Sequence, residues 1–276
     1  MNLEAVLFKA GEYSLFVSIL GAAAAMLARR LRRGKRSERE TASVRLAVRL
    51  PALLSLALLT AFVVVRAVNT GHSPFASMFE FSVVFVWGIV LIAVLFFWKY
   101  ESYSIHLLCF LAASLLMVYA GTLSMQAQPL VPALQNNLLL TAHVFTAVIA
   151  YGAFTIGFIA SVLLFIQSGN RFASLPSADT LEKIGYQSVL IGFPMMTLVI
   201  VLGAIWADIA WGVFWSWDPK ETASLVTWLI YAGYLHARVL KKWRGRKCAV
   251  LLIAGFAAVI FTFFGNYLFG GLHAYT

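Results

Sequence analysis

An all-α, polytopic membrane fold of about eight transmembrane helices, with an external Trp-rich loop, is what the sequence predicts, on three observations. Hydrophobic residues make up 62% of the 276 and charged residues only 12%, about half the roughly 25% charge of soluble domains. The apolar residues fall in blocks of about 20, the length that crosses a bilayer as helix. Lys and Arg gather in two runs, RRLRRGKRSER at 29–39 with Arg45 and Arg49 beyond, and RVLKKWRGRK at 238–247. A single integral membrane domain over 1–276 accounts for this pattern and leaves no room for a sizeable soluble one.

The first span covers roughly 12–29; its positive charges follow the apolar stretch, the reverse of a secretory signal. The second covers roughly 47–68. The third and fourth, roughly 79–98 and 104–124, are separated only by KYESYS, which leaves their boundaries soft. The fifth, sixth and eighth cover roughly 138–166, 188–207 and 248–268. The seventh, roughly 221–240, opens on Asp218, Pro219 and Glu221: a side-chain N-cap, a proline at the first helical position and a capping-box acid.

Threading these spans so that both basic runs face the cytoplasm leaves only Lys9, Arg66 and Lys220, of 21 Lys and Arg, on the outer side. By the positive-inside rule both termini are then outside. The net charge of +10 is read as contact with anionic membrane lipids, and no nucleic acid is expected. Cys109 and Cys248 form no CxxC or metal-ligand spacing. No internal repeat relates the two halves, which disfavours an inverted-repeat transporter.

Four segments lie outside on this topology: NTGHSPFASMFE (69–80), SMQAQPLVPALQNN (124–137), the Trp-rich loop within 206–220, and GGLHAYT (270–276). The loop holds Trp206, Trp211, Trp215 and Trp217, half of the chain's eight Trp. Trp is common at membrane interfaces, so a plain aromatic belt is one reading. The other is a shelf for a planar aromatic ligand: if 211–217 is a short surface helix, Trp211, Phe214 and Trp215 share a face.

Three of the five histidines, His72, His143 and His273, fall on the same side as this loop. An ionisable group at or in the bilayer is a functional candidate because burying it is costly, and a neutral imidazole is a usual haem-iron ligand. Two imidazoles on different helices would hold one iron from both faces; each alone is equally readable as an interfacial hydrogen-bonding group. Haem propionates want cations, for which Arg66 and Lys220 are the outer-side candidates. His236 sits near the cytoplasmic end of the seventh span, too deep to share an iron with His143 or His273. It is either a helix-end His or the mark of a second, inner site. His106 is read as structural.

WGVFWSWDPKETASLVTWLIYAGYLHAR resembles the Trp-rich "WWD" signature of membrane haem-handling proteins, and its WDPKE continuation is similar to the CcsA/ResC type, a subunit of the system II c-type cytochrome synthase. NTGHSPFASMFE, LQNNLLLTAHV and NYLFGGLHAY resemble further segments of that family, in the same order. The match covers most of the chain from about residue 66. It departs where LQNNLLLTAHV lacks a usual Trp, and where Ala76 and Ser77 replace a usual Ser-Asn.

The resemblance implies that His143 and His273 ligate an external haem (haem b) under a loop bearing Trp211, Trp215, Trp217, Asp218 and Lys220. His72 and Arg66 would stand nearby. His236 would be a transmembrane ligand paired with a His of a ResB/CcsB-type partner subunit. The other implied partners are apocytochrome c bearing CxxCH and a thiol-reducing thioredoxin-like protein. The implied activity is a share in holocytochrome c synthase (cytochrome c haem lyase): haem moves to the outer face and two thiols add across its vinyl groups. No catalytic nucleophile or acid–base pair stands out in the sequence, so positioning and redox control carry the chemistry. The implied location is the cell (inner or plasma) membrane, or the thylakoid membrane if plastid-encoded. The alternative is an eight-helix haem transporter or haem-linked regulator without synthase activity.

Overall fold

The computed structural model describes residues 2–31, 38–127, 137–167, 172 and 174–269. The elements are eight helices: α1 (Leu3–Leu31), α2 (Glu38–Thr70), α3 (Met78–Tyr100), α4 (Tyr103–Gly121), α5 (Asn137–Ile166), α6 (Ala178–Trp211), α7 (Pro219–Val239) and α8 (Arg246–Phe269). No strand occurs among the described residues. Seven helices are long and apolar enough to cross a membrane. The exception is α7, whose polar first turn and whose His236 and Arg238 lower its mean hydropathy.

Each helix coincides with one predicted span, but several are longer. The α6 helix starts at Ala178, ten residues before the predicted span, because Ser177 caps it by accepting from the Thr180 N–H at 3.3 Å. At 34 residues and 1.5 Å per residue it runs about 50 Å, well past a hydrocarbon core of about 30 Å. Hydropathy finds only the part of a helix that lipid selects. The polar extension is set by its cap and by Glu182, which receives Arg238 Nη1 at 3.0 Å and the Gly245 N–H at 2.6 Å.

The bundle's axis is the α3–α5 pair: 72% of the membrane window of each is buried, against 28–50% for the others. They touch backbone to backbone. A Cβ on Gly152 would stand 2.6 Å from the Gly88 carbonyl oxygen, and one on Gly88 would stand 2.8 Å from that of Val148. Small residues at a crossing replace the hydrophobic drive that lipid does not supply. Around this axis Phe154 of α5 stacks on Tyr231 of α7 with ring centroids 3.6 Å apart. The Trp228 indole N–H of α7 donates to Thr197 of α6 at 2.9 Å.

Charged groups pin both ends. At the basic end, Arg45 and Arg49 of α2 reach Glu101 at 3.0 and 3.3 Å, where α3 turns into α4. At the tryptophan end, Arg66 of α2 is enclosed between Glu4 of α1 (2.7 Å) and Glu80 of α3 (2.8 Å). Asn69 donates to the other oxygen of Glu4 at 2.6 Å, and the Ala76 N–H to that of Glu80 at 2.8 Å.

Candidate functional site

The Trp-rich loop connects α6 to α7 at the end of the bundle where α3 and α5 begin. The α6 helix ends at Trp211, and Gly212 closes it in the left-handed region (φ 76°), its N–H donating to the Asp208 carbonyl. Residues 212–218 then form no helix. The condition of a surface helix over 211–217 is therefore not met, and Trp211, Phe214 and Trp215 do not share a helical face. A glycine C-cap followed within six residues by an Asp-Pro N-cap leaves no room for another turn.

The predicted opening of α7 is present in full. The Asp218 side chain accepts from the Lys220 N–H at 2.9 Å, Pro219 is the first helical residue, and the capping box with Glu221 is closed. Glu221 does more than cap. Its Oε2 accepts from the Ser216 N–H (2.8 Å), the Ser216 hydroxyl (3.2 Å) and the Asp218 N–H (3.3 Å), so it gathers the end of the loop onto α7.

Beneath the loop lies a cavity of about 70 Å³ between α3, α5, α6 and α7. It is lined among others by His143, Phe214, Trp215, Lys220, Glu221 and Ser224. His143 Nδ1 lies 3.0 Å from the Val199 carbonyl oxygen of α6. A carbonyl only accepts, so Nδ1 carries a proton and donates it. Gly203, one turn further along α6, makes room for the ring: a Cβ there would stand 2.9 Å from His143 Cε1. Lys220 Nζ sits 5.6 Å over the Phe81 ring, a cation–π contact. Tyr151 and Ser224 face the same cavity.

The four loop tryptophans divide into two pairs. Trp206 is buried in a cluster with Val84, Leu140, Val144 and Val148, and Trp211 packs edge-on against it at 4.7 Å. These two fasten the end of α6. Trp215 lines the cavity, and Trp217, 5.8 Å from it, is 68% exposed with a positive φ of 60°.

The other expected residues scatter. Buried His72 has Nδ1 2.9 Å from the Ser73 carbonyl; the Ser73 hydroxyl meets Thr141 of α5 at 2.6 Å, so this loop braces the turn that carries His143. Arg66 is not at the cavity. Its side chain is 4% exposed and faces two carboxylates, so the expected outer cation is a helix pin. His236 lies near the opposite end of α7 on its exposed side, in line with Val226 and Leu229. His106 is buried against Phe97 and Phe110 at the basic end. His273 lies outside the described residues.

Sequence reading missed Gly203 and Tyr151, which sit in apolar runs without any marker, and the second role of Glu221. The i+3 spacing of Glu221 from Asp218 is fully accounted for by capping, which hid its place in the cavity wall.

The family profile described as "Cytochrome C assembly protein" matches residues 53–273. A cytochrome c biogenesis protein CcsA of Chlamydomonas reinhardtii is 38% identical over 230 residues, 79% of this chain and 65% of that relative. CcsA of Guillardia theta is 34% identical over 252 residues (81% and 83%). CcsA of Prochlorococcus marinus strain MIT 9301 is 33% identical over 261 residues (83% and 84%). Among solved structures, the cytochrome c heme lyase CcmF matches with a TM-score of 0.64 at 20% identity, over 98% of this chain and 50% of that one. At that identity the likeness is one of fold.

Proposed function

The chain belongs to the cytochrome c assembly protein family and is of the CcsA type, and from that premise we propose that it is the haem-handling membrane subunit of a system II c-type cytochrome synthase. In this reading it moves haem to the outer face and presents it there for thioether attachment to apocytochrome c. The tryptophan end is the outer end, as the distribution of Lys and Arg favours.

The observation that carries the reading is His143. An imidazole whose Nδ1–H donates to a carbonyl is oriented by that bond, an arrangement in which Nε2 would be the ligating nitrogen. Here that imidazole lines a cavity together with an aromatic loop and a lysine, the three kinds of group that a haem's iron, ring and propionates require. With Arg66 engaged by carboxylates, the propionate role falls to Lys220. In this reading His273, which follows α8 in the chain, would hold the iron together with His143. The α8 helix reaches this end of the bundle, since its Phe263 stacks on Phe81 of the cavity wall at 5.4 Å.

Phe214 and Trp215 would lie over a bound haem; among the described residues, their loop is the wall of the cavity that is not helix. His236, on the exposed side of α7, is available to a His of a ResB-type subunit: an ionisable side chain facing lipid is costly, and a partner removes that cost. Between them the protein's residues bind, orient and shield the haem while a CxxCH peptide approaches its edge.

The test is direct. Purified chain, with and without its partner subunit, should show the absorption of six-coordinate haem. H143A should lose that signature and cytochrome c assembly together; assembly at the unmodified level by both H143A and H273A would sink the reading.

A further inference from the structure

The carboxylate of Glu221 has two oxygens in different circumstances. Oε2 is saturated by Ser216 and Asp218. Oε1 is buried, has no hydrogen-bond partner, and belongs to a residue that lines the His143 cavity. Capping needs only one oxygen. A buried, unsatisfied carboxylate oxygen is costly, and a cap alone does not explain it. An oxygen held in this way is positioned for a donor that arrives with the substrate.

We propose that Glu221 is the general base and acid of thioether formation, an inference that rests on the synthase reading above. The reaction adds a cysteine S–H across a vinyl C=C of haem. The S–H bond and the π bond break; a C–S bond forms at the vinyl α-carbon and a C–H bond at the β-carbon. No electrons are gained or lost overall, so no oxidant is needed, but one proton must travel from sulfur to carbon. The thiolate, not the thiol, is the nucleophile, and few free thiols are ionised at neutral pH. Glu221 Oε1 accepts the thiol proton as sulfur attacks and returns it to the β-carbon.

The surroundings suit the task. Fixing Oε2 with three donors holds the group in one rotamer, so Oε1 keeps its aim. Lys220 is the neighbouring residue on the cavity wall. Phe214 and Trp215, once laid over a bound ring, keep bulk water from competing for the proton. Glu221 thus joins a fixed helix start to a reactive edge, which places an acid–base group on a rigid element.

The experiment compares wild type, E221Q and E221D in the full chain with its partner subunit, loaded with haem and given a CxxCH peptide under reducing conditions. Gln preserves the size and an oxygen for the loop contacts but does not relay a proton. The expected result is unchanged haem content and absorption bands in E221Q, with single-turnover thioether formation slowed by about 100-fold or more. That defect should shrink as pH rises and the thiol ionises unaided, and E221D should recover part of the rate. Thioether formation by E221Q at the wild-type rate overturns the proposal. So does loss of haem from E221Q, which would make Glu221 a purely architectural residue. Absence of haem from the wild-type protein would instead count against the synthase reading itself.

Discussion

The seat of His143 depends on one missing methyl group. Replacing Gly203 by Ala would place a Cβ 2.9 Å from His143 Cε1 and 3.1 Å from Nδ1. Carbon atoms rest at about 3.5–4.0 Å, so the ring must retreat by roughly 0.5–1 Å. The bond from Nδ1 to the Val199 oxygen, now 3.0 Å, would stretch beyond the ~3.2 Å limit of a good N–H···O contact. Losing that bond costs about 0.5–1.5 kcal/mol. Loss of a hydrogen bond that orients a metal ligand typically weakens metal binding 10- to 100-fold, or about 1.4–2.8 kcal/mol. The assay is titration of haem into purified wild type, G203A and G121A, followed by absorbance. Gly121 is the control: it too lies in an apolar helix, but its Cβ would meet only Phe8, at an ordinary 3.7 Å. G203A should bind haem at least tenfold more weakly, with G121A unchanged. Wild-type affinity in G203A would refute the argument that the Val199 carbonyl and the Gly203 gap set the ligand. Equal weakening in both variants would refute it too, since the effect would then come from altering any helical glycine.

Two further outcomes follow from the tryptophan end. R66M removes the cation between Glu4 and Glu80 and leaves two buried carboxylates facing each other, which should destabilise the fold by about 3–5 kcal/mol, while E4Q/R66M/E80Q should regain most of that in a thermal unfolding assay in detergent. If R66M melts like wild type yet fails to bind haem, the guanidinium contacts haem and the pin is secondary. Trp217 holds a φ of 60°, a conformation that costs an L-residue about 1–2 kcal/mol; W217G should therefore be more stable than W217A by about 1 kcal/mol. Equal melting of the two would mean that the loop relaxes without strain.

Features that obey a period or a cap were readable from sequence. Eight apolar blocks became eight helices, and Asp218, Pro219 and Glu221 opened α7 as their spacing requires. Proximity across helices was not readable. Arg66 looked like an outer cation because its partners, Glu4 and Glu80, are 62 and 14 residues away in the chain, and single-sequence reasoning has no means of pairing them. The shared face considered for a helix at 211–217 does not form, because Gly212 ends α6 and Asp218 opens α7, which leaves only an irregular strap between them. His143 was found because a lone polar group in an apolar block stands out, whereas Gly203, which positions it, is one more small residue in such a block.

The strap joins the two halves of the argument. Its ends are fixed by independent devices, the left-handed Gly212 on α6 and the capping box on α7, while its middle is held to the bundle chiefly through Ser216 on Glu221. Releasing those two hydrogen bonds costs about 1–3 kcal/mol. Stacking one large aromatic face returns a comparable amount, about 1–3 kcal/mol by analogy with base–aromatic stacking. On the proposed haem-handling reading, a loop balanced in this way would open for a flat ligand without unwinding either helix, while Trp206 and Trp211, packed on each other against α3 and α5, hold α6 in place. Four tryptophans in twelve residues thus divide by place, two packed in the frame, Trp215 on the wall of the His143 cavity and Trp217 exposed beside it.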